Sequence, residues 1–199
     1  MPPKVAKPHT VRALGPVDCA RLTAMVERIS PATWAGEDAL KENDFAVFHH
    51  TQHIIFRFIE NNRNPENSYS TPAWDVWQPL LQPVMEAAIA PYGFRKPVFP
   101  KAMLAKLLAG HRIDPHYDGA GSNLVTHKIH VPLVTNPQAV FFVRDEKVHL
   151  EPGIACEVNN IVSHGGENLG RKDRIHFIFE VFEGDYPAVA AEGENRAEL

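Results

Sequence analysis

Four side chains stand out for the chemistry they could do together: the pair in His116-Tyr117-Asp118, then His164, then Arg174. Two neutral imidazoles and one carboxylate can fill three adjacent positions on Fe(II) and leave the others open for a chelating cosubstrate and oxygen. An arginine beyond the second histidine suits the far carboxylate of a keto-acid cosubstrate, which it can hold through two parallel hydrogen bonds. Histidine, aspartate and arginine in that order point to a mononuclear non-haem iron site.

The His-x-acid spacing is weak evidence by itself. With 11 histidines and 24 acidic residues in the chain, about one such pair arises by chance. The chain has two, 116–118 and His149-Leu150-Glu151. Asp118 runs into Gly119-Ala120-Gly121-Ser122-Asn123, a flexible loop that can border a site, whereas Glu151 runs into Pro152-Gly153, the signal of a surface turn. The first pair is therefore the better candidate. His164 precedes Gly165-Gly166, which let other groups approach closely.

Strand periodicity adds cations to this picture. Alternation puts Arg174, His176 and Ile178 on one face of their strand and Ile175, Phe177 and Phe179 on the other. It puts Lys128 and His130 opposite Ile129, Val131 and Leu133 in the same way. If the two polar faces line one cavity, that cavity favours a dianion. Arg112, Asn123 and Arg144 are further residues that could face a substrate. The run His49-His50-Thr51-Gln52-His53 is less promising, because its flanks are strand-like and His49 and His53 share a face only in a helix. It is expected to be a strand–turn–strand with surface histidines.

The elements that would position these residues fall into two halves. Residues 1 to about 15 are expected to form a polar arm. An amphipathic helix over 17–29 buries Leu22, Met25, Val26 and Ile29 and stops at Ser30-Pro31. Strands follow at 45–48 and 54–59, then a mobile loop over 61–70. A helix is capped by Thr71 and opens with Pro72; Pro79 and Pro83 inside it predict a kink or two shorter helices. After Pro100, short strands dominate: 102–108, 127–134, 139–144, 147–150, 155–158 and 174–182. Such a run suggests two packed antiparallel sheets, a jelly roll. The expectation is a mainly β fold with flanking helices in a single domain. Residues 1–99 complete the fold, 100–183 form the metal and cosubstrate core, and 184–199 form a frayed tail.

Bulk properties narrow the class. The chain has 199 residues, 17 prolines and a net charge of -4, which gives no reason to propose nucleic acid or an anionic membrane as partner. Two distant cysteines, Cys19 and Cys156, fit a reduced chain. No leader-like apolar start is present, and no run approaches the roughly 18 apolar residues of a membrane span. A cytoplasmic location is expected.

The motifs together resemble a known family. His116-Tyr117-Asp118, the stretch from Thr126 to Leu133, Asn159-Asn160 with Ser163-His164, and Arg174-Ile175-His176-Phe177-Ile178-Phe179 are similar in type and order to the aspartyl/asparaginyl β-hydroxylases. These are Fe(II)- and 2-oxoglutarate-dependent oxygenases that include bacterial hydroxylases of free proline. The resemblance covers roughly residues 100–183. It implies a cupin-like double-stranded β-helix, iron on His116, Asp118 and His164, and 2-oxoglutarate on Arg174, with His130 and Lys128 near the cosubstrate. A carboxylate at position 118 is a feature of the bacterial amino-acid hydroxylases and not of the animal protein hydroxylases. The implied substrate is an amino acid, or an Asp/Asn-type residue in a peptide, carrying a carboxylate. The competing reading is a cupin-like metal- or ligand-binding module without oxygenase activity, which explains the strands and histidines but gives Arg174 and Lys128 no common purpose.

Overall fold

The computed structural model describes residues 1–40, 46–119 and 121–186, with only the backbone described at Ala46. In chain order the elements are β1 (Val11–Pro16), α1 (Ala20–Val26), α2 (Pro31–Asp38), β2 (Thr51–Ile59), β3 (Ser68–Ser70), α3 (Pro72–Ile89), β4 (Pro97–Leu107), β5 (His111–His116), β6 (His127–Val134), β7 (Ala139–Val143), β8 (Glu146–Val148), β9 (Ile154–Val158), β10 (His164–Asn168) and β11 (Arg174–Glu183). Seven strands form one sheet in the order β1-β9-β6-β11-β4-β2-β3, and four form a second, β5-β10-β7-β8. All the pairings are antiparallel. From β4 onward the chain passes between the two sheets, pausing in the smaller one for the β7–β8 hairpin. This is a jelly roll.

Strand alternation sorts the large sheet. Ile129, Val131, Phe177, Phe179, Ala102 and Leu104 form one buried cluster with Leu22, Val26, Trp34, Leu81, Val84, Met85, Ala88 and Ile89 of the helices. In α3 the residues Leu81, Val84, Met85, Ala88 and Ile89 recur at helical spacing, so a single stripe meets the sheet. Burial of each large member contributes about 1.5–3 kcal/mol. The opposite face of the large sheet carries polar residues such as Lys101, Lys128 and Glu180 among apolar ones such as Met103 and Ile178, and it looks into the space between the sheets.

The N-terminal half departs from expectation in several places. The expected arm contains β1, which pairs with β9. The helix expected over 17–29 is shorter, α1 ending at Val26, and Ser30-Pro31 starts another helix: the Ser30 hydroxyl accepts from the Thr33 N–H at 3.0 Å, with Pro31 in the first turn of α2. Capping chemistry outweighed the stop signal. Residues 46–48 form a 3-10 turn rather than a strand, and Phe45 lies outside the described residues. The expected loop contains β3. Thr71 stands at the N-cap of α3, but its hydroxyl donates to the Ile55 carbonyl at 2.7 Å and caps nothing. Helix α3 runs without a break through Pro79 and Pro83. In the second half β6 has its expected bounds, whereas β5 and β10 were not foreseen as strands. Cys19 and Cys156 are free. No helix among the described residues is long and apolar enough to cross a membrane. Most of the expected frayed tail, 187–199, lies outside the described residues.

Candidate active site

His116 ends β5, His164 begins β10, and the two are direct partners in the ladder between those strands. Their rings lie 4.3 Å apart between centroids. Each imidazole has its Nδ1 2.9 Å from a backbone carbonyl two residues upstream, Asp114 O for His116 and Val162 O for His164. A carbonyl only accepts, so Nδ1 carries a proton in both rings; in a neutral ring this leaves Nε2 as the bare lone pair, the form in which a metal is bound. Burial pushes the His164 pKa down to about 4, which keeps it neutral near pH 7. Asp118 completes the group: its Oδ1 is 3.8 Å from His116 Nε2 and its Oδ2 is 3.8 Å from His164 Nε2. The three ligand atoms lie within 4.8 Å of one another, close enough to hold one metal ion.

Asp118 is held firmly. Its N–H donates to Asn160 O at 3.0 Å. Its Oδ2 accepts from Lys128 Nζ at 2.5 Å and from Asn160 Nδ2 at 3.1 Å. Burial works to raise the Asp118 pKa, but Lys128, His164 and these hydrogen bonds outweigh it and hold the group well below the usual carboxylate range. Among the described residues no hydrogen bond reaches Oδ1.

Deeper between the sheets lies a second polar group. Arg174 is only 4% exposed, and no acidic residue among those described pairs with it; its buried Nε has no partner. Burial pushes its pKa down to about 10, so it stays charged at neutral pH. His130 and His176 face each other with their Nδ1 atoms 3.3 Å apart, and His176 Nε2 is also buried without a partner. Burial, and then the nearby cations, push both imidazoles well below their ordinary pKa. Orphaned buried donors are costly. An unpaired guanidinium beside them fits a chamber built for a carboxylate ligand such as 2-oxoglutarate.

Across the central strands of the large sheet runs a row of charges. Glu180 on β11 is the ladder partner of Lys101 on β4 and of Lys128 on β6. Glu180 accepts from Lys101 Nζ at 3.1 Å and from the Thr126 hydroxyl at 2.8 Å, and Lys128 reaches on to Asp118. Burial raises the Glu180 pKa, yet Lys101 and Lys128 pull it below its ordinary value. This row and the metal-type group open on a cavity of about 850 Å³, whose other walls include Phe48, Ile55, Phe58 and Met103. That volume is in the usual range for a small-molecule site.

The structure therefore brings His116, Asp118 and His164 together, and it puts Lys128, His130 and Arg174 on the inward face of the large sheet. Lys128 has its ammonium on Asp118. Of the open substrate candidates, Asn123 is buried and lines the cavity. Arg112 is exposed and pairs with Asp114 at 2.8 Å; Arg144 sits in the β7–β8 turn with its Nε 3.3 Å from His9 O. His149 donates to Ala139 O, and Glu151 is exposed, so the second His-x-acid pair stands apart. His53 is no surface residue: it lies on β2, faces the cavity and meets Asp38 at 3.4 Å. Sequence reasoning missed Lys101, Glu180 and Thr126. Glu180 was within reach, because it continues the alternating face of Arg174, His176 and Ile178.

The fold recurs in known proteins. Three solved structures share the fold at low identity: an oxidoreductase of the 2OG-Fe(II) oxygenase family from Burkholderia pseudomallei (12% identity, TM-score 0.51, 84% of this chain and 91% of the other), the viral collagen prolyl hydroxylase of Paramecium bursaria Chlorella virus-1 in its 2OG complex (10%, TM-score 0.50, 86% and 95%), and AviO1 from Streptomyces viridochromogenes Tue57 (16%, TM-score 0.52, 91% and 93%). No curated protein sequence gives a significant match. The jelly roll of this chain is thus a fold that oxygenases share, and His116, Asp118 and His164 form a group that could hold a metal ion. Residues 82–183 match the aspartyl/asparaginyl β-hydroxylases, and the chain belongs to that family.

Proposed function

We propose that His116, Asp118 and His164 hold Fe(II), that Arg174 anchors the far carboxylate of 2-oxoglutarate with His130 beside it, and that the open cavity takes a carboxylated substrate. The substrate class is an amino acid, free or as an Asp/Asn-type residue in a peptide. Bound iron and 2-oxoglutarate supply the oxidising chemistry that hydroxylates a C–H bond, with release of succinate and carbon dioxide. The protein's own part is positioning. The two Nδ1–carbonyl bonds keep both imidazoles in the metal-binding tautomer. Asn160 and Lys128 fix one oxygen of Asp118 and leave the other without a hydrogen bond among the described residues. Among the described residues Lys101 and Lys128 each donate one hydrogen bond, and an ammonium has three N–H bonds, so both can donate further to an anionic substrate group. Phe48, Ile55, Phe58 and Met103 give its apolar part a dry wall.

The observation that carries this reading is Arg174, a buried cation without an acidic partner among the described residues. A jelly roll that merely bound metal would have no use for it. The test is anaerobic: Fe(II) and then 2-oxoglutarate are added to the parent and to His164→Ala, and the visible charge-transfer band of a keto acid on ferrous iron is recorded. A band in the parent that vanishes in the variant is expected. Its absence from a folded, iron-loaded parent would overturn the reading in favour of a non-oxygenase module.

A further inference from the structure

We infer that Lys7, on the N-terminal segment, is a positioning residue for the metal carboxylate, acting through the side chain of Asn160. The inference rests on the assignment of Asp118 as a metal ligand.

The segment before β1 is strapped to the loops that carry the site. Val5 N–H donates to Leu124 O at 3.0 Å, Asn159 N–H donates to Thr10 O at 2.9 Å, and the Asn159 side-chain amide donates to Pro8 O at 2.8 Å. Within this strap Lys7 turns inward. Its Nζ donates to Thr126 O at 2.6 Å and to Asn160 Oδ1 at 2.8 Å. Asn160 is 0% exposed, so no solvent is at hand to satisfy a misplaced amide.

The chemistry of the two groups fixes the direction of the relay. An ammonium only donates, so the end of the Asn160 amide that faces Lys7 has to be oxygen. The opposite end is then the NH2, and it meets two oxygens, Asn123 Oδ1 at 2.9 Å and Asp118 Oδ2 at 3.1 Å. Were the amide reversed, its oxygen would face the Asp118 carboxylate and its NH2 would face the Lys7 ammonium, acceptor against acceptor and donor against donor. Lys7 thus enforces from one end the orientation that the carboxylate favours from the other, the one in which Asn160 donates to Asp118. Together with the Asp118 N–H bond to Asn160 O, this sets the tilt of the carboxylate. Hydrogen-bond partners that orient a metal ligand are commonly worth ten- to a hundredfold in metal affinity.

The test is an anaerobic Co(II) titration followed by visible absorption, with thermal unfolding of each metal-free variant measured in parallel. Lys7→Met removes the ammonium but keeps the stem, and is expected to weaken Co(II) binding by about tenfold or more. Lys7→Arg, which again only donates, should restore most of it. Asn160→Asp, which puts oxygen against Asp118, should weaken binding at least as much as Lys7→Met. A merely structural lysine would lower the unfolding temperature of Lys7→Met while leaving its Co(II) affinity at the parent value, and that result overturns the inference. If Lys7→Met fails to fold, Lys7→Gln takes its place, with a smaller loss expected and an unchanged affinity again overturning it. Loss of Co(II) binding in His164→Ala alongside parent-like binding in Lys7→Met would sink the role of Lys7 and leave the metal site standing. A parent that binds no Co(II), or binds it equally well as His164→Ala, would remove the site and this inference with it.

Discussion

Arg174 on β11 reaches across the sandwich to Gly166 on β10: a Cβ at position 166 would lie 3.3 Å from its Nη1. The small residue on one sheet makes room for the cation from the other. On the proposed assignment, Arg174→Ala should weaken 2-oxoglutarate binding by about a hundredfold, as truncating one side of a desolvated charge pair does, while metal binding stays near the parent value. Gly166→Ala should weaken the cosubstrate in the same direction but less, and should also strain β7, since the added methyl would stand 3.1 Å from Val140 O. Titration of 2-oxoglutarate into the iron-loaded protein measures both.

Removal of a ligand should be more severe. Asp118→Asn is expected to abolish turnover, because it takes away the anionic donor and the carboxylate that the Lys128 ammonium, now 2.5 Å from Asp118 Oδ2, is bonded to. Iron content after desalting and succinate release together check this. Retained iron with normal succinate formation would remove Asp118 from the ligand set.

The buried charge row should matter for stability. Glu180→Gln leaves Lys101 buried without a counterion, a change that typically costs about 3–5 kcal/mol. The double substitution Lys101→Met with Glu180→Gln should cost clearly less than the two single changes added together. Denaturant unfolding of the four proteins tests the coupling; simple additivity would mean that the two side chains do not depend on each other.

Stability should also fall in mild acid. His164 has a folded-state pKa of about 4, and His130 and His176 are depressed as well, against an unfolded value near 6.5. Below about pH 6.5 the unfolded chain therefore takes up protons that the folded chain refuses, so stability is complete above that value and is lost as pH falls toward the folded values. His164 alone accounts for on the order of 3 kcal/mol. Unfolding of metal-free protein between pH 7.5 and pH 4.5 reads the slope, and His176→Phe or His130→Phe should flatten it.

Much of the site was legible because its chemistry is written in residue type and strand period. Alternation alone groups Lys128 with His130, and Arg174 with His176, opposite a continuously apolar face; that both polar faces look into the space between the sheets follows only from the fold. The N-terminal half was harder, for physical reasons. Ser30-Pro31 carries a stop and a start at once, and only the next helix decides between them. Thr71 looks like a cap, yet its hydroxyl is turned to donate to the Ile55 carbonyl of a neighbouring strand and accepts from no N–H of the helix. Lys7 gave no local sign of burial, because its partners Thr126 and Asn160 are more than a hundred positions away. Long-range hydrogen bonds of that kind leave no periodic trace.

With iron held by His116 and His164 as proposed, their ladder pairing would make the metal a proofreader of the smaller sheet. Side chains alternate between faces along a strand, so a slip of one residue between β5 and β10 would carry one imidazole to the far side. With the metal assigned as proposed, only the correct alignment can be rewarded by binding, by about 2.7 kcal/mol when free metal is a hundred times its dissociation constant. Chain alignment and readiness for catalysis would then be secured by the same ion.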